Sequence, residues 1–184
     1  MNVFGIPLVG ADICGNIGNT TDDLCTKWYN LAAVAYPFSR NQNGPNSKEQ
    51  APFNFGAETE EFILSAQQTK YSILRFLYTK LYYLSREGGT LVKPLFFEFP
   101  GYNKSYEDVE RNIMLGSELK ASLMVHETNP DNGTEAFYFP PGVWCDVAEY
   151  SCFETENAEG EEVQLSVGLA DINLHLREGK AFVF

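Results

Sequence analysis

The chain has 184 residues, 44% of them hydrophobic and 14% aromatic, with 25 acidic against 13 basic side chains and a formal charge of −12. That size can bury a core of its own, and the excess of acid over scattered base excludes a nucleic-acid interface, because a phosphate backbone would be repelled. No run approaches the length of a membrane-spanning helix, and the N-terminus lacks the positively charged region of a secretory signal.

In chain order, residues 4–9 form a brief apolar run among glycines, and their Ile, Leu and Val predict a buried strand rather than a helix too short to nucleate. Asp12 then stands where strand becomes loop, which suits either a carboxylate presented from a barrel strand end or a loop and capping residue. Residues 20–37 read as a helix: Thr20 or Thr21 can cap it, Asp22 and Asp23 sit in the first turn and Pro37 stops it. Leu24, Trp28, Leu31 and Ala35 would share one face. Residues 40–56, rich in Gly, Asn and Pro, predict an exposed loop. The longest helix is expected over residues 59–86, with Glu60 and Glu61 at its start, Lys80 and Arg86 towards its end, and Gly88 as its stop. Ile73, Phe76, Leu77, Leu81 and Leu84 give that helix a core-facing stripe.

Beyond Gly89 the helical period gives way to short apolar or alternating runs at residues 91–97, 119–125, 136–139, 163–167 and 172–176. Turn residues at Asp131-Asn132-Gly133 and Pro140-Pro141-Gly142 separate some of them, the pattern of an antiparallel β-sandwich. Residues 157–162 are acidic and predict a solvated loop. There is no internal repeat.

Cys14 and Cys25 flank one loop, and Cys145 and Cys152 flank another. Neither pair has zinc-ligand spacing and both histidines lie far from them in sequence, so metal binding is not implied. By spacing alone each pair could be a disulfide or two buried thiols. Sequons at Asn19, Asn103 and Asn132 are compatible with a glycosylated secretory protein and also arise by chance. His126 and His175 lack a partner constellation and read as structural or surface residues. No Ser-His-Asp, phosphate-loop or dinucleotide pattern occurs, so no cofactor is implied.

A longer string carries a sharper message. It runs Gly5-Ile6-Pro7-Leu8-Val9-Gly10-Ala11-Asp12-Ile13-Cys14-Gly15, Trp28-Tyr29-Asn30-Leu31, Tyr36-Pro37-Phe38-Ser39-Arg40-Asn41, Leu77-Tyr78-Thr79 and Lys93-Pro94-Leu95-Phe96-Phe97-Glu98-Phe99-Pro100. It continues through Met114-Leu115-Gly116, Tyr138-Phe139-Pro140-Pro141-Gly142-Val143-Trp144 and His175-Leu176-Arg177. In order and over nearly the whole chain, this resembles glycoside hydrolase family 31, nearest to its α-glucosidases.

The resemblance implies an α/β part followed by an all-β part. Residues 1–94 would be the C-terminal remnant of a (β/α)8 barrel, its last strand and helices, and residues 95–184 a proximal antiparallel β-sandwich domain. A complete barrel takes about 250 residues, more than are present. Met1 would then be an internal residue or the start of a truncated gene model. The implied activity is retaining hydrolysis of terminal α-linked glucose from maltose-, starch- or glycogen-type oligosaccharides. The family's nucleophile lies in a Trp-x-Asp-Met-Asn-Glu motif and its acid/base in a His-Trp-x-Gly-Asp motif. Neither occurs in these residues, so both are expected upstream of Met1, and the isolated chain is expected to be inactive.

What the resemblance leaves here is part of the wall around the terminal sugar. Asp12 would accept hydrogen bonds near the −1 subsite and Arg40 would support the carboxylate network as a fixed cation, against the alternative of a structural salt bridge. Two further substrate-binding positions depart from the family: Gln42 replaces the histidine of Arg-Asn-His, and Asn16 replaces the phenylalanine after Cys-Gly. Glutamine still donates to a hydroxyl but cannot titrate, and asparagine removes an apolar contact. The same resemblance implies a Cys14–Cys25 disulfide, as in lysosomal and intestinal members, with Cys145–Cys152 as a candidate second one. It also implies a lysosomal or secreted protein whose partner is an α-glucoside oligosaccharide, without a cofactor, nucleic acid or membrane segment. The competing reading is a noncatalytic carbohydrate-binding or scaffolding piece.

Overall fold

The computed structural model describes residues 1–36, 40–41, 43–124 and 133–182, residues 40 and 41 by their backbone. Gln42, His126 and Asn132 lie outside the described residues.

The N-terminal half is built from one parallel strand pair and three helices. Strand β1 (Asp12–Ile13) leads into α1 (Asp22–Ala35), which returns to β2 (Arg40–Asn41), and β1 and β2 pair in parallel. Thr21 caps α1 by accepting a hydrogen bond from the Leu24 amide at 3.2 Å, and Asp22 and Asp23 complement the helix dipole from the first turn. Trp28, Leu31 and Ala35 of the expected face of α1 do meet the core, but the fully buried side is not centred on them. It runs through Cys25, Thr26 and 32–35, while Leu24 is exposed.

The expected strand at residues 4–9 is not formed. Asn2–Phe4 is a 3-10 turn, residues 6–11 are irregular, and Phe4 is 85% exposed. An apolar run becomes a strand only when a neighbour supplies the ladder, and among the described residues no strand lies beside residues 6–11. Asp12 accordingly sits within β1 rather than after it.

The single long helix expected over residues 59–86 is two helices, α2 (Ala57–Ser72) and α3 (Leu74–Glu87), broken at Ile73. Neither glycine nor proline marks the break. Ser72 donates to the Thr69 carbonyl at 2.7 Å, a back-bond that competes with helical pairing, and Ile73 turns wholly into the core. The α3 stripe is as expected: Phe76 and Leu77 are buried, and Leu81 and Leu84 pack on the same cluster. Gly88, with φ 81°, ends the helix where a side chain would be strained.

The C-terminal half is antiparallel. Strands β3 (Val92–Pro94), β4 (Asn112–Leu115) and β5 (Leu119–Ser122) join β7 (Gly142–Asp146), β8 (Cys152–Thr155) and β10 (Asn173–Arg177) in a six-stranded sheet. Its order is β3-β4-β5-β10-β7-β8. A ribbon of β6 (Thr134–Phe139) and β9 (Glu161–Ser166) forms the second sheet. The expected strand over 91–97 ends at Pro94, after which residues 95–97 close into a 3-10 turn, and the expected acidic loop gives way to β9 at Glu161. Strands β4, β7 and β8 are not among the expected runs. Their places are set by pairing: Asn112–Leu115 by β5, and Cys152 by Cys145 directly across from it.

Alternation gives the large sheet two faces. Leu115, Leu119, Ala121 and Leu174 meet Ala33, Val34, Ile73, Phe76 and Leu77 of the helices. On the other face Met114 and Trp144 meet Phe137, Phe139 and Val167 near the ribbon, together with Leu95 and Phe99. Lys120 and His175 also lie on that second face. Paired abreast across β5 and β10, they are 0% and 2% exposed.

Candidate functional site

The parallel pair brings two of the sequence candidates together. Asp12 and Arg40 are direct partners in the β1–β2 register, with Ile13 beside Asn41. Asp12 is half-buried. Beneath it lies a small cluster of Ile13, Cys14, Cys25, Ala32 and Ile63, against which Trp28 packs, so Trp28 serves helix packing.

After Ile13 the chain turns sharply. Cys14 and Gly15 both have positive φ, 67° and 86°, and the Gly15 amide donates to the Asp12 carbonyl at 3.1 Å. A cysteine tolerates that conformation poorly by itself. Here it is joined in a disulfide to Cys25 on α1, with a Cα separation of 4.5 Å. The second disulfide, Cys145–Cys152, crosses β7 and β8.

The loop after β2 is stitched onto this turn instead of lying free. Gln50 is 2% exposed, and its amide Nε2 donates to the Gly15 carbonyl at 2.9 Å and to the Cys14 carbonyl at 3.5 Å. The Gly44 amide donates to the Asn16 carbonyl at 2.8 Å, and a Cβ at Gly44 would lie 2.6 Å from that oxygen, so only glycine fits. The Lys48 amide donates to Asn19 Oδ1 at 2.7 Å. Asn16 thus contributes its backbone to the loop while its side chain is exposed. The carboxylate of Asp22 accepts from the Gly56 amide and from Thr59 Oγ1, fastening the start of α1 to that of α2; the Gly56 hydrogen bond holds its pKa below the usual carboxylate value.

Lys70 of α2 completes the frame. Its Nζ donates to the Ala32 carbonyl at 2.8 Å and to the Tyr36 carbonyl, and burial pushes the ammonium pKa down to about 8. Neither Gln50 nor Lys70 stood out in the sequence. Gln50 sits in a polar loop with no local signal, whereas the i−4 and i+3 spacing of Lys70 from buried Ala66 and Ile73 could have marked it as facing inward.

The remaining candidates are spread apart. Asn19 and Asn103 are exposed. His175 lies within the β-domain core, wedged against Phe139 and Phe153, so it is structural and not a surface residue. Among the described residues no group of three His, Cys, Asp or Glu is placed to hold a metal ion, and no helix is long and apolar enough to cross a membrane.

Residues 12 and 40 thus pair on a parallel βαβ unit that precedes an antiparallel domain. Comparison with known proteins places the chain among glycoside hydrolases. The model of the glycosyl hydrolases family 31 TIM-barrel domain matches residues 1–80, and that of the family 31 C-terminal domain matches residues 88–182. The chain belongs to glycoside hydrolase family 31.

Lysosomal alpha-glucosidase of Bos taurus is 36% identical over 190 residues, covering 97% of this chain and 20% of that protein. Probable maltase-glucoamylase 2 of Homo sapiens is 34% identical over 178 residues, covering 97% of this chain and 7% of that protein. Among solved structures, the glucosidase II alpha subunit bound to Glc1Man2 superposes with a TM-score of 0.86 at 26% identity, covering 97% of this chain and 19% of that one. The chain therefore spans about a fifth or less of the length of these relatives.

Proposed function

We propose that these residues are the end of the catalytic barrel and the proximal β-domain of a retaining α-glucosidase, with the junction at Pro94. Asp12 and Arg40 form part of the wall around the terminal glucose of a maltose-, starch- or glycogen-type oligosaccharide. The observation that carries this reading is the Asp12–Arg40 register in a chain of family 31. An ionised aspartate can accept from sugar hydroxyls, and an arginine beside it supplies a fixed cation that orients the carboxylate. Hydrolysis itself is assigned to two carboxyl groups outside these residues, since neither family motif occurs in the sequence. Two disulfides and two exposed sequon asparagines, Asn19 and Asn103, support passage through the secretory pathway.

The test is kinetic and uses the parent polypeptide carrying the upstream carboxylate motifs. Asp12→Asn and Arg40→Ala should each lower maltose turnover at least about tenfold, or roughly 1.4 kcal/mol of transition-state stabilisation. Gln42→His should be neutral or beneficial. Unchanged kinetics in both site variants, with folding intact, would make these residues structural neighbours only.

A second reading draws on Gln42, which stands in place of the family histidine. A chain translated from Met1 would bind sugar without turning it over. Transcript sequence upstream of Met1 decides between the two: both carboxylate motifs favour the enzyme, and a transcript start at Met1 favours the binding piece.

A further inference from the structure

Helix α1 leaves its last carbonyls in an unusual position. Its final turn contains no basic residue, and its C-cap, Tyr36, is already extended at φ −111° and ψ 116°. Carbonyls at a helix C-terminus lack intrahelical donors, and the helix dipole makes that end negative. A cation is supplied from another element. The ammonium of Lys70, near the end of α2, donates to the carbonyl of Ala32 within the last turn of α1 and to that of Tyr36 just beyond it.

Bonding both carbonyls fixes more than the helix end, because one lies before the chain leaves α1 and the other after. Together they set the direction of departure. Four residues further on stands Arg40, whose backbone pairs with Asp12, and four extended residues reach at most about 14 Å. Tyr36 is thus held by Lys70, and residue 40, four positions on, by the parallel register with β1. Lys70 is half-buried, on the side of α2 that carries buried Ala66 and leads to buried Ile73.

We infer that Lys70 is a positioning residue for the sugar site: its ammonium clamps the end of α1 so that β2 delivers Arg40 beside Asp12. The inference rests on the proposed role of Arg40, and it adds a residue that touches neither substrate nor Asp12. Arginine should replace it, since a guanidinium can also donate to two carbonyls. Methionine should not, since it keeps the apolar stem and loses every donor.

Two measurements test it together. In the 184-residue chain, hydrogen exchange should accelerate at least tenfold in Lys70→Met at the amides of Tyr36, Arg40 and Asn41 and at Ile13, with α3 and the six-stranded sheet unchanged, while Lys70→Arg stays near wild type. In the parent polypeptide, Lys70→Met should lower maltose kcat/KM at least tenfold and Lys70→Arg should recover it to within threefold. Uniform acceleration of exchange would overturn the inference, reducing Lys70 to general stabilisation, and so would unchanged exchange or local loosening with normal turnover. Absence of turnover in the wild-type parent would sink the α-glucosidase reading instead, and with it the premise for Arg40, while the exchange result would still show whether Lys70 holds β2 against β1.

Discussion

Lys120 and His175 sit side by side on the inner face of the large sheet, beneath aromatic rings. The Lys120 ammonium donates to Asn112 Oδ1 at 2.9 Å and to Ser122 Oγ at 2.5 Å, and stands 3.9 Å from the centroid of Phe139. Burial, reinforced by Arg111, lowers its pKa well below that of a free lysine. His175 is edged by Phe139 and Phe153, with Asp146 of β7 at 3.7 Å on its other side. Burial, with Lys120 adding to it and Asp146 opposing, pushes its pKa down to about 4 from 6.5. Between those values the unfolded chain binds a proton that the folded one refuses. Stability from this group is therefore complete above pH 6.5 and is lost as pH falls through 4, by roughly 3 kcal/mol. Urea unfolding of wild type and His175→Phe at pH 7 and pH 4.5 should show a smaller acid loss in the variant. Equal losses would mean His175 does not carry the effect.

At the scale of elements, the region around Asp12 is held by cross-links rather than by a continuous sheet. Strand β1 has two residues, and the turn beyond it is secured by the Cys14–Cys25 disulfide, the Gln50 amide and the Gly44–Asn16 hydrogen bond. Closing a loop between cysteines 11 residues apart removes unfolded-state entropy worth about 3 kcal/mol. Replacing Cys14 and Cys25 together by alanine should lower the unfolding free energy by about that amount in oxidised material. Non-reducing peptide mapping should recover both disulfide-linked peptides from wild type. Free thiols in the map, or an unshifted urea midpoint in the variant, would refute the assignment.

For the whole molecule, what matters is the apolar surface left in water. Leu64, Tyr71, Leu74 and Tyr78 recur at helical spacing along α2 and α3, and all are more than 40% exposed, as are Phe4, Leu8 and Ile17. Apolar surface of this extent is ordinarily covered by other protein. The 184-residue chain by itself is accordingly expected to self-associate with concentration in sedimentation velocity, and Leu74→Lys with Tyr78→Lys should suppress it. It should also release nothing from an aryl α-glucoside at acidic or neutral pH, since retaining hydrolysis needs two carboxyl groups about 5 to 5.5 Å apart across the scissile bond. Sustained release abolished by Asp12→Asn would overturn the assignment of Asp12 to the wall.

Local pattern determined much of this protein by itself. The capped start of α1, the stripe of α3 and its glycine stop, and strands β5, β6, β9 and β10 all follow from short-range spacing, and the motif string reached the family. Tertiary structure alone decided the rest. The run at residues 4–9 has the Ile, Leu and Val of a strand but also Gly5 and Pro7, and it is not one, because a strand exists only with a partner. The break at Ile73 and the strands β4, β7 and β8 likewise depend on what they pack against. Spacing along the chain reports which side of a segment is apolar, but not which carbonyl a buried donor will meet. Gln50 reaches Gly15 across 35 residues and Lys70 reaches Tyr36 across 34. Those bonds exist only after the chain has folded back on itself, so no local window could contain them.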